Sequence, residues 1–179
     1  PYIGRESAYF LSINRNKRSM TLNLKEPEGR SIFIDLARSA DVVIENFTPG
    51  VVERLGISYS DVKSINAGII FCSISGFGQT GPYREKPAYD QMMQGLGGIM
   101  SITGHAEGPP QKVGIALTDI GAGMMGAYAI MTALFHRERQ QSGVGQYIDV
   151  AMLDLQVAWL TYMGGYYFAV SYTHLRAHE

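Results

Sequence analysis

Apolar and polar positions along the chain switch repeatedly between a helical period and a strand-like run. Lys25-Glu-Pro-Glu-Gly-Arg30 opens a helix, with Pro near its first turn and acids at its positive end, that continues to about Ser39. Ala40 to Asn46 is a short apolar run suited to a strand buried on both faces. Thr48 as N-cap and Pro49 as first helical residue predict a helix that stops at Gly56, in the C-terminal cap position. Ser58-Tyr-Ser-Asp61 starts another, and Gly68 to Ser75 is a second clear strand. Three glycines and a proline make Gly76 to Pro82 a loop. A helix-like segment follows Tyr89-Asp90 and ends at Gly97-Gly98. An apolar strand in Gly114-Ile-Ala-Leu-Thr118 turns at Asp119 into a long helix reaching about Gln140. Gly143-Val-Gly145 turns into the strand Gln146 to Ala151, and a last apolar segment runs from Asp154 to Val170. Helices and strands alternating at this spacing predict an α/β class, a parallel sheet with flanking helices. There is no internal repeat, low-complexity tract or internal linker.

Composition narrows the function classes. Net charge is −1, with 17 % charged and 46 % hydrophobic residues, so the basic excess of a nucleic-acid binder is missing. Cys72 is the single cysteine, which excludes a disulfide framework and a metal site of paired thiolates, and it reads as a small core residue. Uncharged stretches at 120–135 and 155–173 approach membrane length, but their Gly, Tyr, Thr and Gln content fits buried core helices better than a span. No signal peptide is visible, and the expected location is cytoplasmic.

The chain starts at Pro1, and nothing after Val170 could cover the last apolar segment, so 1–170 reads as an internal portion of one larger domain, truncated at both ends. Residues 171–179 change composition abruptly and resemble translated sequencing-adaptor sequence. His174 and His178 are therefore not counted as ligands.

The most informative single residue is Asp119. Sixteen uncharged residues separate it from His136, so this carboxylate should lie against a face that packs into protein. Loss of water raises such an acid in energy as an ion and sharpens it as a nucleophile or base. A plainer role is open too: Asp at a helix start caps it and offsets the dipole. Gly121, Gly123, Gly126, Ala127, Ala129 and Ala133 make the helix slim, which suits close packing or a ligand lying across it. Gly76 to Gly81 and Gly121 to Gly126 both fit a bare G-x-G-x-x-G pattern. Neither stands directly between a strand and a helix, so a dinucleotide loop is not expected.

Six segments, in order, resemble the family III CoA-transferases, the group containing formyl-CoA transferase and the carnitine CoA-transferase. They are Asn14-Arg-Asn-Lys-Arg-Ser19, Leu22-Asn-Leu-Lys25, Asp41-Val-Val-Ile-Glu-Asn-Phe-Thr-Pro-Gly50, Pro87-Ala-Tyr-Asp90, Gly114-Ile-Ala-Leu-Thr-Asp119 and Gly143-Val-Gly-Gln-Tyr-Ile-Asp-Val-Ala-Met152. The likeness extends to about Val170. It implies a Rossmann-like larger domain of a two-domain protein whose two subunits interlock as a homodimer. It also implies that Asp119 is the nucleophile. Leu22, Asn23, Leu24, Lys25, Asn46, Phe47, Thr48, Arg54, Ala88, Tyr89 and Asp90 match positions lining the coenzyme A site. Some members carry a lysine where this chain has Pro87.

By the same resemblance, the partners are an acyl-CoA donor and a carboxylate acceptor. No cofactor is held permanently; the CoA thioester is substrate. Asp119 would attack the donor carbonyl to give an aspartyl–acyl anhydride and CoA thiolate. The thiolate would then return to the aspartyl carbonyl and expel the donor acid. The family's glycine loop, which helps shield the intermediates, has no counterpart in this sequence.

Lys25 and Arg54 also have local readings. A cation near a helix end, as Arg54 is, benefits from the dipole, whereas Lys25 beside a helix start does not. Arg15, Lys17 and Arg18 are read chiefly as solvated surface. Acyl-CoA racemases resemble the same pattern but place a His-Asp pair where this chain has Tyr89-Asp90. Proton exchange at an α-carbon wants a second group titrating near neutrality, and tyrosine, with an unperturbed pKa of about 10, is not one. His105, in a polar loop, and His136, late in the long helix, do not replace it. A catalytically silent CoA-binding subunit is the reading from another class.

Overall fold

A computed structural model describes residues 1–170; the tail read above as adaptor-like lies outside the described residues. In chain order the elements are β1 (Tyr2–Ile3), β2 (Glu6–Ser7), α1 (Ala8–Ile13), α2 (Pro27–Ser39), β3 (Val42–Glu45), α3 (Val51–Leu55), α4 (Tyr59–Ile65), β4 (Ile70–Ser75), α5 (Asp90–Leu96), a 3₁₀ turn (Ile99–Ile102), α6 (Leu117–Gln140), β5 (Tyr147–Ala151), α7 (Met152–Ala158) and α8 (Thr161–Val170). β1 and β2 form a small antiparallel hairpin. The functional scaffold is a parallel sheet of order β3-β4-β5, with Ile44 opposite Cys72 and Cys72 opposite Ile148.

β4 is the middle strand, and its alternate side chains feed two cores because successive residues point to opposite faces. Phe71 packs with Ala37, Val62 and Ile69 beneath α2 and α4. Cys72 packs with Met93, Ala122, Val150, Met152 and Leu155 under α5, α6 and α7. Burial pushes the Cys72 thiol up to about 11, with Glu45 and Asp149 adding to the effect, so it stays a neutral core group.

Local signals explain several boundaries. Ser58 accepts the Asp61 N–H while the Asp61 carboxylate accepts the Ser58 N–H, a complete capping box that starts α4. Gly56 ends α3 at φ 66°, a left-handed position that costs glycine little. Expectations fail in places, and β3 is one of them: it is an edge strand with Ile44 56 % exposed, not a strand buried on both faces. Gly50, at φ 86°, rather than Thr48, precedes the first helical residue of α3; Thr48 only lends its carbonyl to the Val51 N–H. The strand expected before Asp119 does not form. Residues 114–116 are irregular, and the Val113 N–H and Ile115 carbonyl are taken by the Gln94 side chain and not by a strand partner.

α6 crosses the sheet on its glycine face. A methyl group built on Gly126 would sit 3.2 Å from Ile74 Cδ1, and one on Gly121 would collide with the Trp159 ring. Small residues at these two positions therefore serve packing. The outer face carries Ile120, Met124, Tyr128, Met131 and Phe135, all exposed, so α6 is a half-covered helix and not the buried core helix expected. By length and composition it is apolar enough to cross a bilayer.

The far end of α6 is tied back to the sheet. Arg137, only 14 % exposed, donates to the Gly68 carbonyl at 2.7 Å and to Asp41 at 2.8 Å. Arg137→Met keeps the apolar stem and removes the donors. It should cost about 1–2 kcal/mol in urea unfolding, mostly from the orphaned carbonyl. Asp41, largely exposed, should contribute well under about 1 kcal/mol when changed to Asn.

Candidate active site

The carboxyl ends of β3 and β4, the loops after them and the start of α6 enclose a cavity of about 440 Å³ lined by Asn46, Ile74, Gly76, Ala88, Tyr89, Asp119, Ala122, Gly123 and Met152. In an open parallel sheet this edge is where ligands bind. Four side chains singled out from sequence, Asn46, Ala88, Tyr89 and Asp119, meet here. Two close approaches shape it. Asn46 Nδ2 donates to the Ile74 carbonyl at 2.6 Å, joining the ends of β3 and β4. Gly76 lets the 87–89 segment touch the end of β4, because any Cβ at 76 would overlap that of Ala88.

Asp119 is the third residue of α6, and among the described residues its side chain makes no capping hydrogen bond; the cap residue is Ala116, whose side chain cannot serve. The capping role belongs to Asp90. Its Oδ1 accepts both the Thr118 N–H and the Thr118 hydroxyl at 2.8 Å, satisfying donors that a helix start leaves free. Asp119 is thus left with its carboxylate on the cavity wall. It is exposed in this chain, contrary to the packed surrounding expected. Even so, partial burial first, and the neighbouring charge of Asp90 second, hold its pKa above the usual carboxylate value. One turn on, Gly123 borders the same cavity with no atom within 4 Å of a built Cβ, so this glycine keeps the space open instead of packing a neighbour.

A second cavity, of about 520 Å³, is lined by Leu24, Lys25, Glu26, Pro27, Arg30, Ser31, Ile34, Arg54 and Leu55. Lys25 and Arg54 therefore face one space, together with the start of α2. Arg30 joins them and was not foreseen; its position one turn inside a helix opened by Lys25-Glu-Pro was the available signal. Three cations around a helix N-terminus suit a polyanion such as a phosphate chain. Gly29 is buried, and the Asn23 carbonyl lies where its Cβ would be, which fixes the 22–25 segment against α2.

The other sequence candidates line neither cavity. Leu22 is half-buried, and Asn23 accepts the Lys25 N–H through Oδ1. Phe47 is exposed, with its N–H on Glu45. Thr48 is exposed, and Asp90 is turned towards Thr118 and Gln94. Gln94 and Thr118, the hydrogen-bond partners of Asp90, are residues that the sequence reading passed over. The four-residue step from Asp90 to Gln94, which puts both on one helix face, could have found the first.

Comparison with known proteins places this geometry in context. The chain is 47% identical over 161 residues to the acetyl-CoA:oxalate CoA-transferase of Acetobacter aceti, covering 89% of this chain and 41% of that protein. It is 41% identical over 167 residues to the succinyl-CoA:glutarate CoA-transferase of Homo sapiens, covering 93% of the chain and 38% of the relative. A crystal structure of a CAIB/BAIF family protein from Brucella suis superposes with a TM-score of 0.89 at 44% identity, over 94% of this chain and 44% of that one. The chain thus spans about two-fifths of the length of the curated relatives it matches. A family model described as CoA-transferase family III matches residues 1–178, and the chain belongs to that family.

Proposed function

We propose that the protein carrying this chain is an acyl-CoA:carboxylate CoA-transferase in which Asp119 is the nucleophile. The observation that carries the reading is the placement of Asp119, its carboxylate free of capping duty, on a cavity wall with Asn46, Ala88 and Tyr89, in a chain of this family. In the proposed cycle an Asp119 oxygen attacks the thioester carbonyl, the C–S bond breaks, and CoA leaves as thiolate. The thiolate attacks the aspartyl carbonyl of the resulting anhydride, forming an enzyme-bound CoA thioester and releasing the donor acid. An acceptor carboxylate attacks that thioester, and the freed thiolate attacks the acceptor carbonyl of the new anhydride. Asp119 is regenerated and no net proton is consumed. Each step is covalent catalysis that replaces one difficult exchange by easier acyl transfers.

The phosphates of CoA are assigned to the space between Lys25, Arg30 and Arg54, and its thioester end to the Asp119 cavity. Asn46 and Arg54 lie on the same connection out of β3, which links the two spaces. The relatives named for oxalate and glutarate support a small dicarboxylic acid as one of the exchanged acids. The interlocked homodimer, the two-domain organisation and a cytoplasmic setting belong to the same proposal; the lone buried, unpaired Cys72 suits a reducing compartment. Tyr89 on the cavity, where a racemase would need a titrating partner, favours transfer over proton exchange.

The test is to incubate full-length protein with a panel of acyl-CoAs, quench, and map adducts by peptide mass spectrometry. A CoA thioester, or an acyl group trapped by hydroxylamine, is expected on the Asp119 peptide and absent from Asp119→Ala. CoA binding without any adduct, accompanied by deuterium exchange at the α-carbon, would overturn transfer in favour of racemisation.

A further inference from the structure

Gln94 is completely buried on α5, yet every polar atom of its amide is used. Nε2 donates to Asp90 Oδ2 at 2.7 Å and to the Ile115 carbonyl at 3.2 Å, while Oε1 accepts the Val113 N–H at 2.8 Å. A primary amide offers two N–H donors and a carbonyl, so this inventory is filled. The irregular segment entering α6 is thereby clamped to α5 at two backbone points. The same amide fixes the rotation of the Asp90 carboxylate, whose other oxygen holds both donors of fully buried Thr118. Asp119 is the next residue.

We infer that Gln94 is a positioning residue: acting through Asp90 and Thr118, it sets where the Asp119 carboxylate stands relative to the thioester carbonyl. This rests on the transferase reading above. Gln94 does not line the Asp119 cavity or the cationic one, so its effect should fall on the covalent step and spare CoA binding. Satisfied buried networks specify one arrangement, and a misplacement of about 1 Å at a reacting group can cost on the order of 10²-fold in rate. A residue that merely glued α5 to α6 would behave differently. Its loss would lower the fraction of folded enzyme and leave the rate of each folded molecule unchanged.

The experiment is a single-turnover measurement of adduct formation on Asp119 in the full-length protein, with saturating acyl-CoA, comparing wild type with Gln94→Met. The expected result is an unchanged adduct amplitude, reached about 10- to 100-fold more slowly, with the Kd for CoA within about twofold of wild type. A reduced amplitude at the wild-type rate would overturn the inference and leave Gln94 a structural residue. If wild type itself forms no adduct on Asp119, the transferase reading fails and the inference falls with it, an outcome seen before any variant is compared. Should Gln94→Met not fold, Thr118→Val breaks the hydroxyl link of the same network and is read in the same way. About a fivefold slower step at full amplitude is expected there, and the wild-type rate would overturn the inference.

Discussion

Replacing Asp119 by Asn in the full-length protein is expected to reduce CoA transfer by roughly 10⁴-fold or more, since an amide cannot supply the attacking oxygen and little else in the site can replace it. CoA binding should survive, because the cationic cavity is separate from the change. The same substitution should make the fold more stable at neutral pH, and the sign follows from the pKa. The folded state holds the Asp119 proton more tightly than the unfolded chain does, so ionisation is disfavoured by folding. The resulting penalty is complete above the raised folded value. It shrinks as pH falls through that value and is gone below the ordinary carboxylate value of 3.8. Melting temperatures of wild type and Asp119→Asn should therefore differ at pH 7, with the variant higher, and converge in acid. A variant retaining a tenth of wild-type transfer would remove Asp119 as nucleophile. One that melts lower at pH 7 would contradict the electrostatic account.

The largest stability effect should come from Phe71→Ala. Phe71 is 1 % exposed in the central strand, with the Tyr59 ring 6.1 Å away edge-on and the Tyr147 ring at 6.0 Å. Removing it leaves a ring-sized void against Ala37, Val62 and Ile69 and breaks two aromatic contacts. A cost of about 4 kcal/mol is expected, measurable as a shift of the urea midpoint at constant slope. That is a large part of the roughly 5–15 kcal/mol by which domains are stable. A loss below about 2 kcal/mol would show that the core collapses around the missing ring.

What could be read beforehand divides by the range of the interaction. The Ser58–Asp61 capping box and the Gly56 stop lie within a few residues, and β3 and β4 announce themselves as short apolar runs between turn residues. The parallel sheet followed from their alternation with helices. Thr48 misled because a glycine two residues later turns the backbone first. The apolar residues before Asp119 misled because their backbone is bonded by Gln94, a side chain about twenty residues away that no local pattern reports. Asp119 itself stood out as an isolated acid, but two facts about it were invisible. Its helix is capped by a side chain 28 residues upstream of Thr118, and its surroundings in this chain are half open. Both depend on which elements come to lie side by side. The split of the expected CoA residues, with Leu24, Lys25 and Arg54 in one space and Asn46, Ala88 and Tyr89 beside the expected nucleophile Asp119 in another, has the same cause.

The borrowed cap on α6 has a consequence for the order of folding. A helix that carries its own cap can nucleate its first turn alone, whereas this first turn waits for Asp90 to arrive from α5. The remainder of α6 can grow early, seeded by local contacts. The turn bearing Asp119 gains its last partner only when two distant stretches of chain have closed on each other. Closure of the end that bears Asp119 is thus expected to follow growth of the rest of the helix, because it depends on a contact between stretches distant in sequence.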